Sequence, residues 1–162
     1  MRFKLMFLIG FTGLILAGCA TRPPPVDRPP APLPRTGPAE SVSEVAFMAL
    51  ALVGSPYAAG GASPEVGFDC SGLVAYVYDR ALRRTLPRNT FDLARTGAAV
   101  SEPQPGDLLF YNTQQRPFSH VGIYLGESRF VHAPSTGGAV RIEDMRLAYW
   151  TKRFDGARRV AE

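Results

Sequence analysis

The chain has 162 residues, of which 46% are apolar and 20% charged, close to the globular average, so wholesale disorder is excluded and one ordinary domain plus short extensions is expected. Two cysteines cannot build a disulfide framework. The net charge of +4 comes from the N-terminus: five basic residues and one acid precede Glu40, and thirteen of each sign lie from Glu40 onward. A domain with no basic excess of its own lacks the electrostatic footprint of nucleic-acid binding.

Arg2 and Lys4 precede an apolar run from Leu5 to Leu16. The run is too short to cross a hydrocarbon core of about 30 Å as a helix, and small residues follow it. That is the form of a secretory signal. Leu16-Ala17-Gly18-Cys19 resembles the lipobox of bacterial lipoproteins, which implies a signal peptide over 1–18 and a lipidated Cys19, a palmitate-bearing position. An ordinary signal with a chance cysteine is the plain alternative. Eight prolines then lie between Thr21 and Pro38. Such a stretch favours extended polyproline II, so residues 19–39 read as a tether that reaches up to roughly 60 Å. The domain proper covers 40–162. With Cys19 lipidated it keeps a single thiol, Cys70, which then has no disulfide partner in an oxidising compartment.

Ser41-Val42-Ser43-Glu44 matches a capping box and predicts a helix from Ser41 to Val53, stopped by Gly54-Ser55-Pro56. A glycine-rich loop follows from Tyr57 to Gly67. Leu73, Val74, Val77, Ala81 and Leu82 recur at helical spacing, with Asp69 where an N-cap belongs, so Cys70 falls in the first turn of a second helix. A third, short helix is expected over 90–96, closed by Gly97. After Pro105-Gly106 the period becomes two. Strands are expected over 107–111, 119–125, 129–133, 139–142 and 154–160. Helices followed by strands predict an α+β domain on an antiparallel sheet.

A helix N-terminus stabilises an anion, so Cys70 is placed for a lowered pKa and fast alkylation near neutral pH. The chain has two histidines, His120 and His132, both in the strand half. A hairpin about Gly126-Glu127-Ser128 joins their strands. An odd loop puts both imidazoles on one face; a two-residue loop without a bulge puts them on opposite faces. On one face, one imidazole takes the thiol proton and the other fixes its tautomer. A lone buried cysteine is otherwise a small hydrophobe, and a lone histidine a structural hydrogen-bonder. One cysteine and two histidines could also ligate zinc, but no C-x-x-C or H-E-x-x-H pairing exists, so no metal and no cofactor is expected.

Six blocks in series resemble the NlpC family of cell-wall cysteine peptidases. They are 57–61, Gly67-Phe68-Asp69-Cys70-Ser71-Gly72-Leu73-Val74, Leu86-Pro87-Arg88, 104–110, the pair 120–126 and 130–134, and 154–159. The resemblance implies a papain-like α+β fold with N-terminal helices packed on a central antiparallel sheet. It implies hydrolysis of amide bonds in peptidoglycan stem peptides or cross-links, at γ-D-glutamyl-diaminopimelate or D-alanyl-diaminopimelate bonds. By motif, Cys70 takes the nucleophile position, His120 the base and His132 the orienting position. Tyr57 matches a tyrosine that shapes the site and supports the oxyanion. Asp69 and Ser71 flank the nucleophile where members contact the peptide's amine, and Asp69 is equally placed to be only a cap. Arg88 matches a family position with a salt-bridged structural role. Leu93 departs from the glutamine often found there, which touches packing or substrate edges.

Lipid anchoring fits this activity. Ala20 stands where an aspartate retains enteric lipoproteins at the inner membrane, so the resemblance implies outer-membrane sorting, facing the periplasm. Two other readings of the same cleft are a catalytically inactive lipoprotein that binds wall peptide, and an acyl-transfer enzyme acting on lipid.

Overall fold

The computed structural model describes residues 38–135 and 138–160, with side chains from Glu44 onward. The signal, Cys19 and the tether up to residue 37 lie outside the described residues, and the tether's last two expected residues, Pro38 and Ala39, are helical.

Helix α1 (Pro38–Ala51) begins three residues ahead of the expected Ser41. Proline suits a first helical position, where its missing N–H is not needed. Val45, Ala49 and Leu52 are buried on one face of this segment and join the main core. Two short strands, β1 (Ala62–Ser63) and β2 (Gly67–Phe68), pair antiparallel inside the stretch expected to be a loop. Helix α2 (Cys70–Leu82) follows at once.

Asp69 caps α2, accepting from the Gly72 N–H at 2.6 Å, with extended backbone at φ −88° and ψ 174°. Arg83 closes the helix in the left-handed region at φ 54°. Leu73, Val74, Val77 and Tyr78 are fully buried between α1 and the sheet. The first turn of α2 rests against the Gly61 carbonyl, which lies where a Cβ on Gly72 would stand. Because the obstacle is backbone, Gly72→Ala should destabilise the domain by about 1–3 kcal/mol despite alanine's better helix propensity. Denaturant titration checks this, and an unchanged midpoint overturns it.

Helix α3 (Thr90–Leu93) is shorter than expected and is capped by Asn89. Leu93, the departure from the family pattern, is fully buried in the core. Strand β3 (Ala98–Val100) was not anticipated; its alanines are exposed and carry no alternation. The remaining strands are β4 (Leu108–Tyr111), β5 (His120–Gly126), β6 (Arg129–His132), β7 (Arg141–Asp144) and β8 (Phe154–Arg159). Between β7 and β8 lies α4 (Ala148–Thr151), also unanticipated. The six strands form one antiparallel sheet in the order β3-β8-β4-β5-β6-β7. This is the expected papain-like α+β arrangement.

Two boundaries moved for readable reasons. Asp107 does not start β4. Its buried carboxylate accepts from the Gln104 N–H and pairs with Arg159 at 2.7 Å. Val140 does not join β7 either, because its N–H and C=O bond Ser55 and Gly54. That bridging, with the Tyr57 N–H donating to the Gly138 carbonyl at 2.9 Å, brings the segment after α1 beside the far end of the sheet.

Alternation divides the sheet's faces. Phe110, Val121, Ile123 and Val131 face the helices. Leu109, Tyr111, Phe130 and Ala157 form a second cluster with Trp150 of α4 on the other side. Among the described residues, no helix is long and apolar enough to cross a membrane.

Candidate active site

The hairpin joining β5 and β6 decides whether the histidines meet. Its turn holds two residues, Glu127 and Ser128, both left-handed at φ 51° and 62°. A two-residue turn alone would split the imidazoles between faces. The register shifts by one between Tyr124 and Gly126, so Leu125 is an extra, bulged residue. The bulge restores the odd parity. Ile123 therefore faces Val131, which sets Gly122 opposite His132 and leaves His120 on the same face. Gly122 leaves room for this crossing, since a Cβ there would stand 2.6 Å from the Phe130 ring.

The result is a direct bond. His120 Nε2 and His132 Nδ1 are 2.7 Å apart, with both side chains buried. Trp150 lies nearly parallel to the His120 ring at a centroid distance of 5.9 Å and stands edge-on to His132 at 5.0 Å. Burial, reinforced by the Arg141 guanidinium, pushes the His120 pKa below the ordinary imidazole value. Burial does the same to His132, with the positive charge of a protonated His120 and Arg141 adding to it. Both rings are therefore neutral at pH 7.

Cys70 opens α2 as expected and is a free, partly buried thiol. The backbone N–H of Val121 is turned toward it and favours its anion, as do the N–H groups of Ser71 and Cys70. Val121 follows His120 directly, so the helix start meets the head of the histidine strand. The expected lowering of the thiol pKa is not what the environment produces. Desolvation raises it, the Asp69 carboxylate adds to that, and the three N–H groups offset only part. The helix start orients the sulfur without supplying a standing thiolate.

One cavity of about 470 Å³ holds Cys70, His120 and His132 together with Tyr57 and Asp69. Ser71 is not on its wall. It is buried, with its hydroxyl 2.7 Å from the Arg88 carbonyl and 3.0 Å from Asp69 Oδ1. Asp69 is heavily engaged: beyond the helix cap it accepts from the Gly60 N–H at 3.0 Å and pairs with Arg88 at 3.4 Å. Arg88 also donates to the Gly60 and Gly61 carbonyls, tying the β1 approach to the helix start.

The cavity is also lined by residues that sequence reasoning missed: Trp150, Tyr149, Arg141 and Glu143. Trp150 is the chain's one tryptophan, which was the available signal. Nothing in its surrounding periodicity placed it near the histidines. Among the described residues, no group of three or more His, Cys, Asp or Glu side chains is arranged to hold a metal ion.

The chain is similar to several known proteins. A protein of Escherichia coli named probable endopeptidase YafL is 39% identical over 126 residues, covering 74% of this chain and 51% of its own length. Murein DD-endopeptidase MepH of Escherichia coli is 42% identical over 113 residues, covering 67% of this chain and 42% of its own. The chain thus spans about half the length of these relatives. Among solved structures, the NlpC/p60 domain of peptidoglycan hydrolase SagA superposes with a TM-score of 0.63 at 32% identity, covering 73% of this chain and 97% of that domain. A NlpC/P60 family protein from Bacillus cereus gives 0.69 at 30% identity, covering 75% of this chain and 40% of its own. The NlpC/P60 family model itself matches residues 54–159, from the bend before Tyr57 to the end of β8, and the chain belongs to that family.

Proposed function

We propose that this chain is a cysteine endopeptidase that hydrolyses amide bonds in peptidoglycan peptides through Cys70, His120 and His132. The observation that carries the reading is the 2.7 Å bond between His120 Nε2 and His132 Nδ1 in the same cavity as the Cys70 thiol. The names of the relatives, murein and peptidoglycan endopeptidases, supply the substrate class.

The tautomers follow from the task. To act as a base, His120 keeps its Nδ1 lone pair free and carries its proton on Nε2, donating to His132 Nδ1. His120 takes the Cys70 proton as sulfur attacks the substrate carbonyl. The oxyanion is met by N–H groups at the start of α2 and by the Tyr57 hydroxyl. His120 then protonates the leaving amine and the C–N bond breaks, leaving a thioester on Cys70. His120 deprotonates a water, which attacks the thioester and releases the acid. The proton returns to the sulfur. In this reading Asp69 contributes to the substrate's amine pocket as well as to the cap, and Ser71 acts on that pocket through Asp69.

Mass spectrometry of purified muropeptides after incubation with the full-length protein tests the reading. New free carboxyl and amine ends are expected in the stem peptides. Tight binding of muropeptides with no new ends would favour an inactive binder, and products made only from lipid acyl donors would favour acyl transfer.

We also propose that Cys19 carries the lipid and holds the enzyme at the outer membrane, facing the periplasm. The support is the sequence 16–19 and Ala20. Labelled palmitate should enter the unsubstituted protein and not Cys19→Ala, and equal labelling of both would remove the anchor.

A further inference from the structure

Three charged side chains line the cavity: Asp69, Arg141 and Glu143. Asp69 is committed to the α2 cap, the Gly60 N–H and Arg88. Arg141 and Glu143 stand two residues apart on β7, and so on one face of it. The ladder places Arg141 opposite His132 and Glu143 opposite Phe130. The pair sits beside the catalytic imidazole, close enough for the Arg141 charge to be felt at both histidines.

The pair is only partly used up by its internal bond. Arg141 Nε donates to Glu143 Oε1 at 2.7 Å. Among the described residues, no hydrogen bond occupies the two terminal guanidinium nitrogens or Glu143 Oε2. Half of the Arg141 side chain is exposed, at 52%, so those nitrogens remain open to a ligand. Opposite charges leave this wall neutral overall. A ligand carrying a single charge would meet one partner and be repelled by the other. A ligand carrying an ammonium and a carboxylate on one carbon satisfies both, with the carboxylate on the guanidinium fork and the ammonium on Oε2.

We propose that Arg141 and Glu143 form a clamp for a free α-amino-carboxylate centre on the substrate. This rests on the peptidase reading and deepens it. In the wall peptides named above, such a centre is the distal end of a diaminopimelate that is not cross-linked. With the γ-D-glutamyl-diaminopimelate bond as the one cut, the clamp therefore selects uncross-linked stems and rejects those whose distal carboxyl is amidated or whose distal amine is acylated.

The test uses full-length Cys70→Ala protein and three peptides. These are L-alanyl-γ-D-glutamyl-meso-diaminopimelate, its distal carboxamide and its distal N-acetyl form. Calorimetry should give the unmodified peptide about tenfold tighter binding than either modified one, as expected for loss of one charge-assisted contact. Arg141→Gln should erase the penalty for amidation and keep that for acetylation; Glu143→Gln should do the reverse. A merely structural role would lower all three affinities together. That result, equal binding of all three peptides, or no binding at all overturns the clamp. Hydrolysis by the unsubstituted protein is scored separately. A tripeptide bound with this pattern but never cut would overturn cleavage at the γ-D-glutamyl-diaminopimelate bond and leave the clamp standing.

Discussion

Cys70→Ala should leave a folded domain whose hydrolysis of muropeptides falls by about five orders of magnitude, the scale of losing a nucleophile that works as a unit with its base. Folding should survive because Cys70 is at the helix tip and only partly buried, while Leu73, Val74 and Val77 of α2 anchor the core. Cys70→Ser should be nearly as inactive, since a hydroxyl is far harder to deprotonate than a thiol. The pH profile follows from the same environment. The base works only when neutral, so activity appears above its pKa. Burial and Arg141 depress that value for His120, which puts the acid limb of kcat/KM below 6.5. Desolvation raises the thiol, so the basic limb lies above 9.0. Between the limits the profile should be flat, and iodoacetamide near pH 7 should label Cys70 more slowly than a free model thiol. An acid limb at or above 6.5, or substantial hydrolysis by Cys70→Ala, would remove this assignment.

The helix that carries the thiol was legible because local signals agreed there. Asp69 is both a good cap and the residue before a periodic apolar run, and Leu73, Val74 and Val77 had one face to bury. The strands β4, β5, β6 and β8 were legible by alternation. What failed to show was structure set by partners distant in sequence. The exposed Ala98 and Ala99 form β3 only because β8 offers them an edge. Val140 leaves the alternating run because Gly54 and Ser55 claim its backbone. Sequence reduces the meeting of the histidines to odd or even parity, but the extra residue sits in the strand as a bulge and not in the turn. The expected low thiol pKa weighed the helix start without the burial. Only packing shows that burial, because it comes from the meeting of α2 with β5. Nothing in the sequence marks the Arg141–Glu143 pair, and Glu143 lies past the expected strand 139–142.

His132→Phe should keep the ring's volume and lower kcat by about three orders of magnitude, with KM little changed. The substitution removes the acceptor for the His120 Nε2–H. That N–H is buried, and leaving it unpaired costs about 1–3 kcal/mol. The cost is relieved if His120 moves its proton to Nδ1, the tautomer that cannot accept from the thiol. The intact pair avoids this through its surroundings. Among the described residues His132 Nε2 has no hydrogen-bond partner, and it is buried among the rings of Phe130 and Trp150. Aromatic electron density tolerates an N–H there better than a lone pair. In the proposed mechanism His132 thus keeps its proton on Nε2, presents a bare Nδ1 to His120, and holds the base in its working tautomer. His132→Gln, which restores a carbonyl acceptor, should recover part of the lost kcat and leave KM where it was. Equal losses in the Phe and Gln variants, or a loss confined to KM, would show that His132 fills space and does not orient the base.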